Sequence, residues 1–478
     1  MDAAELTLPR VAGFHRFERL GRRILFNTET LLAYAADDAA YELAGALTEP
    51  AASPEALLAA HGPERLAAAA ASLAAEGFLC ATPPPLPPKA PRRPPPVTTL
   101  ELMLTHACNL RCAYCYGRED GAPHLYGADR AGMSLATARR GLDLLFALSG
   151  RAGRVAAVFF GGEPLLALDV LEAAAAHGRE LEKTTGKRLD LSLSTNATLL
   201  DARARRLLAR QRIGCQVSLD GPPAVHDACR RTIDGRGSYA AAAANVRALT
   251  AMRPGRVPAR ATLASGVTDV GAVVGHLLGL GFGSVHVEPA AGGCPVSMPP
   301  SDVPAVLAAN ERLAHDLVDS ARAGRAVGYE NLTRQLRATR QVRRRQQYGC
   351  GAGRSLLALS QDGRLYPCHR FVGNERLAMG DAESGPDLAA RRRYAALNVD
   401  RRPGCADCWA RHLCGGGCLH QALKPDGEIG EPDREVACTI SLHLIECALA
   451  LHAELGLVAG RLPGEPAPTQ EDHHGRAS

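Results

Sequence analysis

The stretch TTLELMLTHACNLRCAYCYG, residues 98–117, decides the fold of this 478-residue chain. Its first part, Leu100–Leu104, is short and mostly apolar, as a buried strand is. A loop with three cysteines at spacings of four and three follows directly: Cys108, Cys112 and Cys115. Three thiolates on one loop can hold three irons of a cubane cluster and leave the fourth iron open. A zinc site completed by His106 is the alternative.

Six strand–helix units follow one another from this stretch onward. The strand candidates are Leu100–Leu104, Val155–Phe160, Leu189–Ser194, Gly214–Leu219, Ala259–Leu263 and Ser284–Glu288. The helix candidates are Ser134–Ser149, Leu166–Thr184, Asp201–Arg210, Tyr239–Met252, Asp269–Leu278 and Pro304–Ala323. This alternation predicts a parallel α/β sheet, either doubly wound or curved into a partial barrel. Ligands gather at the carboxyl ends of such strands, which is where the cysteine loop lies.

Residues 1–82 form a separate module, because a proline-rich linker, residues 83–97, follows them. The module reads as three strands and then three helices, the outline of a winged-helix-like fold. The predicted elements are Phe14–Glu18, Arg23–Asn27, Leu31–Tyr34, Ala39–Leu47, Pro54–His61 and Glu64–Glu76. A DNA reader is the alternative, but the third helix, ERLAAAAASLAAEG, offers almost no side chains for base edges. We therefore expect no nucleic-acid partner.

A second group of seven cysteines lies in residues 346–458, a segment rich in Gly and Arg with little periodicity. Its members are Cys350, Cys368, Cys405, Cys408, Cys414, Cys418 and Cys438. Sets of four thiolates close a cluster and suit it to electron transfer or structure. A zinc ribbon over residues 405–418 is the alternative, and it leaves the other three cysteines unexplained. The tail, residues 459–478, lacks apolar periodicity, and we expect it to be disordered.

Composition predicts a soluble globular protein. Charged residues make up 22% and hydrophobic ones 46%, and the net charge of +5 is too mild to indicate nucleic acid. No run of eighteen apolar residues and no secretory signal are present, so we expect no membrane span and a cytoplasmic location. Disulfides are rare there, so clustered cysteines indicate metal ligands or catalytic thiols.

Five segments in order resemble the radical S-adenosylmethionine (SAM) superfamily: CNLRCAYC, FFGGEP, STNATLL, SLDG and HDACRRTIDGRGSY. The resemblance implies a partial (β/α)6 barrel of the TIM type over residues 98–345, with a 4Fe-4S cluster on the cysteine triad. It implies a SAM pocket built from Tyr114, Gly161, Gly162, Glu163, Pro164, Ser194, Asn196, Ser218 and Arg230. A flavodoxin- or ferredoxin-type reductant would supply the electron that cleaves SAM to methionine and a 5′-deoxyadenosyl radical, which takes hydrogen from the substrate.

The seven cysteines resemble the SPASM domain of peptide-modifying radical SAM enzymes, which implies two auxiliary 4Fe-4S clusters. By that resemblance Cys350, Cys368 and Cys418 hold the first. The second is held by Cys405, Cys408, Cys414 and Cys438. The first set has three ligands, so either another group completes it or an open iron binds a substrate thiolate. The N-terminal module resembles the PqqD-like element, to which a precursor peptide adds as an extra strand.

The segment LYPCHRFVGN bears on the reaction. His369 follows Cys368, where sulfatase-maturing enzymes carry an aspartate that acts as a base. With VHVEPA, residues 285–290, it instead resembles the thioether-forming SCIFF and quinohemoprotein amine dehydrogenase maturases. We therefore expect cross-links from Cys sulfur to carbon in a Cys-containing precursor peptide or protein subunit. Formylglycine formation and a non-enzymatic peptide-binding Fe-S scaffold are the alternatives.

Two residues are candidates for proton handling. His369 either accepts the thiol proton or donates a hydrogen bond beside the first auxiliary cluster, and the sequence leaves both roles open. Asp220, at the end of the fourth strand, faces the same edge of the sheet and is the weaker candidate.

Overall fold

The computed structural model describes residues 10–48, 53–80, 93–118, 132–325, 328–340 and 345–455. Most of the predicted proline-rich linker, and the whole tail from residue 459, lie outside these ranges.

The N-terminal module is a small sheet followed by helices. Its elements are β1 (Arg10–Val11), β2 (Phe14–Arg19), β3 (Arg22–Asn27), β4 (Ala33–Ala35), α1 (Asp38–Ala46), α2 (Pro54–Ala75) and β5 (Leu79–Cys80). Strands β2, β3 and β4 form an antiparallel sheet in that order. Leu31, predicted in a strand, instead has a φ of 63° and lies in a turn. The two predicted helices after residue 53 are two segments of α2, because Gly62 has a non-helical φ of 74° before Pro63.

A long sheet carries the strand–helix units. Its first part contains β6 (Thr99–Thr105), β7 (Leu110–Cys112), α3 (Leu135–Leu148), β8 (Arg154–Gly161), α4 (Leu168–Thr185), β9 (Arg188–Thr195), α5 (Ala202–Arg210) and β10 (Ile213–Ser218). Then come α6 (Pro223–Cys229), β11 (Arg230–Thr232), α7 (Tyr239–Met252), β12 (Pro258–Leu263), α8 (Val270–Gly279), β13 (Ser284–Pro289), α9 (Val303–Arg322) and α10 (Glu330–Arg340). The parallel strands β6, β8, β9, β10, β12 and β13 stand side by side in chain order. This is a singly wound order, so the doubly wound alternative is wrong; closure toward a barrel stays a prediction.

The C-terminal segment continues this sheet. Its elements are β14 (Leu356–Leu359), β15 (Leu365–Tyr366), β16 (Gly380–Asp381), β17 (Gly385–Pro386), α11 (Leu388–Ala396), α12 (Arg411–Cys414), a π-helical turn at Arg434–Cys438 and α13 (Thr439–Glu454). Strand β14 pairs parallel with β6, and β15 pairs antiparallel with β14. Neither strand was among the sequence predictions, because a four-residue apolar run such as LLAL has no period to recognise.

The N-terminal module docks on the C-terminal segment. Phe17, Ile24 and Phe26 share an apolar cluster with residues of α12 and α13. The ring of His15 stacks on Trp409 with the ring centroids 3.9 Å apart. Glu446 of α13 accepts from His15 at 2.9 Å and from Arg19 at 2.8 Å. The module is therefore attached close to the second cysteine group.

By length and composition alone, the helical segment Arg434–Glu454 is apolar enough to cross a membrane. More than half of its apolar window is buried against other described parts of the chain, as in the core helix of a globular fold.

Alternation along the strands gives the sheet two different faces. In β8, buried and half-buried residues alternate over the whole strand, and β9 and β12 show the same period of two. The buried residues, such as Phe159 and Leu193, pack in the main core. The half-buried ones, such as Phe160, Ser194 and Arg260, line a cavity on the opposite face. The strand period therefore decides which side chains reach the cavity.

Candidate functional site: a cysteine-lined cavity

The three-cysteine loop is held in place by backbone pairing. Strand β7 pairs antiparallel with β11, so that Arg230 stands opposite Cys112. The N–H of Leu110 donates to Cys108 Sγ at 3.4 Å. Burial raises the pKa of Cys108 to about 11 and that of Cys112 to about 12, and neighbouring thiols of the loop contribute to both shifts. A bound cation would favour their deprotonation, so the loop suits a metal cofactor.

Two glycines let the next loop approach the cysteine loop. Gly161 has a φ of 142°, and a Cβ there would lie 3.2 Å from the Thr105 nitrogen and closer to its oxygen. A Cβ at Gly162 would lie 2.7 Å from the carbonyl carbon of Ala107. The N–H of Gly162 donates to Thr105 O at 2.9 Å. The two loops can therefore lie this close together only because Gly161 and Gly162 have no side chains.

The side chain of Glu163 does not face the cavity. It joins the ends of β8 and β9 through hydrogen bonds. It is fully buried, and its carboxylate accepts from Thr195 Oγ1 and from the N–H of Asn196, both at 2.8 Å. Burial raises its pKa to about 7, although these donors oppose the shift. Pro164, also predicted as a SAM contact, is buried beside it. Both residues thus support the loop that the resemblance assigned to SAM binding.

Asp220 is the centre of a buried polar cluster. Its carboxylate accepts from Arg230 Nε at 3.0 Å, from the Thr262 N–H at 3.0 Å and from the Tyr114 hydroxyl. The Arg230 guanidinium lies 5.4 Å from the Tyr114 ring centroid and 3.9 Å from Cys112 Sγ. Asp220 is 1% exposed and has three donors. Its geometry suits a residue that positions Arg230 and Tyr114 beside the cysteine loop.

One cavity of about 1030 Å³ brings most of the predicted site together. Its wall includes Cys108, Cys112, Cys115, Tyr114, Gly161, Gly162, Ser194, Asn196, Ser218 and Arg230. His369, which the sequence analysis placed in a different domain, belongs to the same wall. Glu163, Pro164 and Asp220 are buried behind it.

His369 is held by an acidic residue that the sequence analysis missed. Glu101, buried in β6, accepts from the His369 backbone N–H at 2.6 Å and is 2.8 Å from the ring Nδ1. The Phe160 ring lies 4.1 Å from the imidazole, centroid to centroid. The only signal in the sequence is a single acid inside the apolar run LELML. Glu101 fixes the ring so that Nε2 is the nitrogen left for another partner.

The seven C-terminal cysteines interact electrostatically in two groups, and their assignment as cluster ligands stays a prediction. Burial raises the pKa of Cys368 well above its usual range, with contributions from Glu101, Cys418 and Cys350. In the other set, burial raises the pKa of Cys438 to about 12. The neighbouring thiols that contribute there are Cys414, Cys405 and Cys408. Cys350 and Cys418 therefore lie within electrostatic reach of Cys368, next to His369 of the cavity wall, and three other thiols lie within reach of Cys438.

None of the ten cysteines in these sets and in the three-cysteine loop forms a disulfide. Among the described residues, no three His, Cys, Asp or Glu side chains converge enough to hold a single metal ion. A cubane cluster does not need its ligands to converge on one point, because each thiolate binds a different iron. Grouped sulfur donors are the ligands such clusters take, so the chemistry of all three sets fits them.

Other polar residues of the cavity also escaped prediction as site residues. Arg260, on β12, pairs with Glu288, on β13, at 2.6 Å. Arg370 places its guanidinium 5.5 Å from the Tyr116 ring centroid. Burial and the nearby Arg370 lower the pKa of His420 to about 4. These residues are spread over distant parts of the chain, and only the fold brings them to one cavity.

The family comparison agrees with this geometry. Residues 102–269 match the model described as the Radical SAM superfamily. They include the three-cysteine loop, the glycine pair and the Asp220–Arg230 cluster. This part of the chain is a radical SAM domain.

Two curated relatives match over parts of the chain. A probable GTP 3′,8-cyclase of Methanocella arvoryzae is 32% identical over 126 residues, which is 26% of this chain and 34% of that protein. A GTP 3′,8-cyclase of a Mycobacterium species is 32% identical over 189 residues, which is 39% of this chain and 49% of that protein. The chain therefore spans between a third and a half of the length of these relatives.

Solved structures match over most of the chain. The structure of anSMEcpe with bound AdoMet and a Cp18Cys peptide has a TM-score of 0.62 at 19% identity, covering 76% of this chain and 99% of that one. Streptococcus suis SuiB bound to its precursor peptide SuiA has a TM-score of 0.51 at 13% identity, covering 90% and 100%. At these identities the likeness shows a shared fold.

Proposed function

We propose that this protein is a radical SAM enzyme that forms thioether cross-links, from Cys sulfur to carbon, in a precursor peptide or protein subunit. One observation carries the proposal: the three-cysteine loop and the Cys368–His369 segment open on the same cavity. At about 1030 Å³ this cavity is at the upper end of the range for single small ligands. It has room for SAM together with part of a peptide.

The cofactor sites follow from the three thiol sets. The three-cysteine loop holds the cluster that binds SAM, with Arg230 beside it and Tyr114 available to stack on the adenine. Cys350, Cys368 and Cys418 hold a first auxiliary cluster near the cavity. A second auxiliary cluster is held by Cys405, Cys408, Cys414 and Cys438. When bound, the clusters and SAM would supply the redox chemistry, which is the removal of one hydrogen atom from the substrate and the acceptance of one electron.

The bonds that break and form lie in the peptide, and the protein handles the thiol proton. One C–H bond and one S–H bond break, and one S–C bond forms. The thiol proton leaves to a base or to solvent, so each cross-link removes two hydrogens from the peptide. Two roles are open to His369 Nε2: it accepts that proton, or it donates a hydrogen bond beside the first auxiliary cluster.

The N-terminal module is the proposed peptide-binding element. In its sheet β2 and β4 are the edge strands, and β3 lies between them. A precursor peptide that adds to an edge would form main-chain hydrogen bonds there. Because the module docks on the C-terminal segment, the bound peptide would stay attached to the body of the enzyme. Peptide binding should slow amide hydrogen exchange in one edge strand; unchanged exchange in both would refute this element of the proposal.

Anaerobic reconstitution with iron and sulfide tests the activity. With SAM and a flavodoxin or dithionite as reductant, the wild type should release 5′-deoxyadenosine, and a Cys112→Ala variant should not. Incubation with its Cys-containing precursor peptide should then lower the peptide mass by two hydrogens per link. No 5′-deoxyadenosine from the wild type would favour the non-enzymatic scaffold, and a formylglycine mass change would favour the sulfatase-maturing reaction.

A further inference from the structure

A buried arginine lies next to the four-cysteine set. Arg402 is only 2% exposed. Its Nε donates to Gly430 O at 3.2 Å, and its Nη1 donates to Gly416 O. Its Nη2 is buried and has no hydrogen-bond partner among the described residues. One corner of the guanidinium is therefore unsatisfied, which costs stability unless a bound group completes it.

The charge of Arg402 is also uncompensated. Arg230, the buried arginine beside the three-cysteine loop, has Asp220 at 3.0 Å. Arg402 has no ion-pair partner anywhere in the described ranges of the chain. A buried cation without a counter-charge is strongly destabilising. An anionic group bound next to Arg402 would therefore stabilise the folded protein.

The geometry places a thiol of the four-cysteine set close to the Arg402 guanidinium. A Cβ built at Gly416 would be 3.4 Å from Arg402 Nη1 and 3.8 Å from Cys405 Sγ, so the guanidinium and the thiol flank the same small space. The Cys405 N–H also donates to Arg402 O at 3.1 Å, which joins the two residues in one turn. Burial raises the pKa of Cys405, and the Arg402 charge opposes that shift.

We propose that Arg402 donates a hydrogen bond to the cluster held by Cys405, Cys408, Cys414 and Cys438, and thereby raises its reduction potential. The inference rests on the proposed function, since it needs a cluster at this set. Net charge and hydrogen bonds to sulfur set the potential of such clusters. A nearby cation stabilises the reduced state, which is the more negative one. A raised potential would suit this cluster to accept the electron that thioether formation releases.

A full-length background with one cluster allows a clean test. Alanine replaces the six other ligands: Cys108, Cys112, Cys115, Cys350, Cys368 and Cys418. Redox titration followed by electron paramagnetic resonance then measures the midpoint potential of the remaining cluster. Arg402→Gln removes the charge, and Arg402→Lys keeps it on a different geometry. Arg401→Gln is the matched control, because Arg401 is exposed at the neighbouring position.

The expected result is a lower potential in Arg402→Gln, a smaller decrease in Arg402→Lys and no change in Arg401→Gln. An unchanged potential in Arg402→Gln with its iron retained would overturn the inference. If Arg402→Gln loses its iron, Arg402→Lys decides: a lowered potential supports the inference, and an unchanged one overturns it. Loss of iron from both variants would make Arg402 a structural residue and also overturn it. A background protein that binds no iron would refute the proposed second cluster itself, which is a separate failure.

Discussion

Substitution of Gly162 by alanine should uncouple the cysteine loop from the loop that follows β8. An added Cβ would lie 2.7 Å from the Ala107 carbonyl carbon and 3.0 Å from Cys108 Cβ, against an ordinary contact of 3.4–4 Å. The nearest neighbours include backbone atoms, so no flexible side chain can give way. The φ of Gly162 is outside the left-handed region, so the effect is steric. The two loops must separate by about 1 Å, because protein interiors are close-packed.

A displacement of about 1 Å at a reacting centre costs on the order of 100-fold in rate. We expect Gly162→Ala to lower 5′-deoxyadenosine formation about that much, while the overpacking costs about 1–3 kcal/mol of stability. Anaerobic SAM cleavage, corrected for iron content, measures the rate. Gly275→Ala is the matched control, since nothing lies within 4 Å of a Cβ there. A Gly162→Ala rate within about threefold of the control would refute the steric reasoning.

Asp220→Asn leaves Arg230 as an uncompensated buried charge, so it should lower the free energy of unfolding by about 3–5 kcal/mol in urea titrations; a loss below about 1 kcal/mol would contradict this. Glu101→Gln releases the ring of His369, so cross-linked peptide should fall about 10- to 100-fold while 5′-deoxyadenosine is retained, and an equal fall of both would exclude a positioning role. Burial lowers the pKa of His226 to about 4, so the unfolded chain binds more protons below about pH 6.5 and stability falls on acidification, by about 2 kcal/mol at pH 5. His226→Gln should remove that part of the pH dependence of urea unfolding, and identical slopes would contradict the assignment.

The His226 prediction has a structural basis beyond burial. The Ser238 hydroxyl donates to Arg230 O at 2.7 Å, so His226 Nε2 must be the donor in its 2.9 Å bond to Ser238. His226 Nδ1 then accepts from the Asp220 N–H at 3.4 Å. A proton on Nδ1 would oppose that donor and add charge beside Arg230. The neutral ring is therefore built into the cluster that supports the cysteine loop.

Much of the fold could be predicted from the sequence, because its long elements have clear periods and ends. Ser134 and Asp201 cap α3 and α5 where the sequence placed the helix starts. All six predicted parallel strands are present in the sheet. The short strands β7, β11, β14 and β15 could not be predicted, because two to four residues carry no period and depend on partners far along the chain.

The site residues divide along a similar line. The cysteine spacings predicted two groups of thiols. The division of the second group into two ligand sets came only from its resemblance to the SPASM domain. The roles of Glu163 and Asp220 were less predictable. Both stand at strand ends in segments that resemble SAM-binding motifs. Their carboxylates, however, accept hydrogen bonds from residues of neighbouring strands. A motif shows that a residue belongs to a site, but its hydrogen-bond partners decide whether it contacts a ligand or supports one.

Glu101 could not be recognised as a site residue because its partner lies far along the chain. It precedes the cysteine loop on β6 and lies 268 positions from its partner His369. The two meet because β14 pairs with β6, with Ala358 opposite Glu101. That pairing brings the C-terminal segment against the first strand of the radical SAM sheet, and with it Cys368 and the ring of His369. The four-residue strand that the sequence could not reveal is therefore the element that places the proposed auxiliary cluster at the cavity.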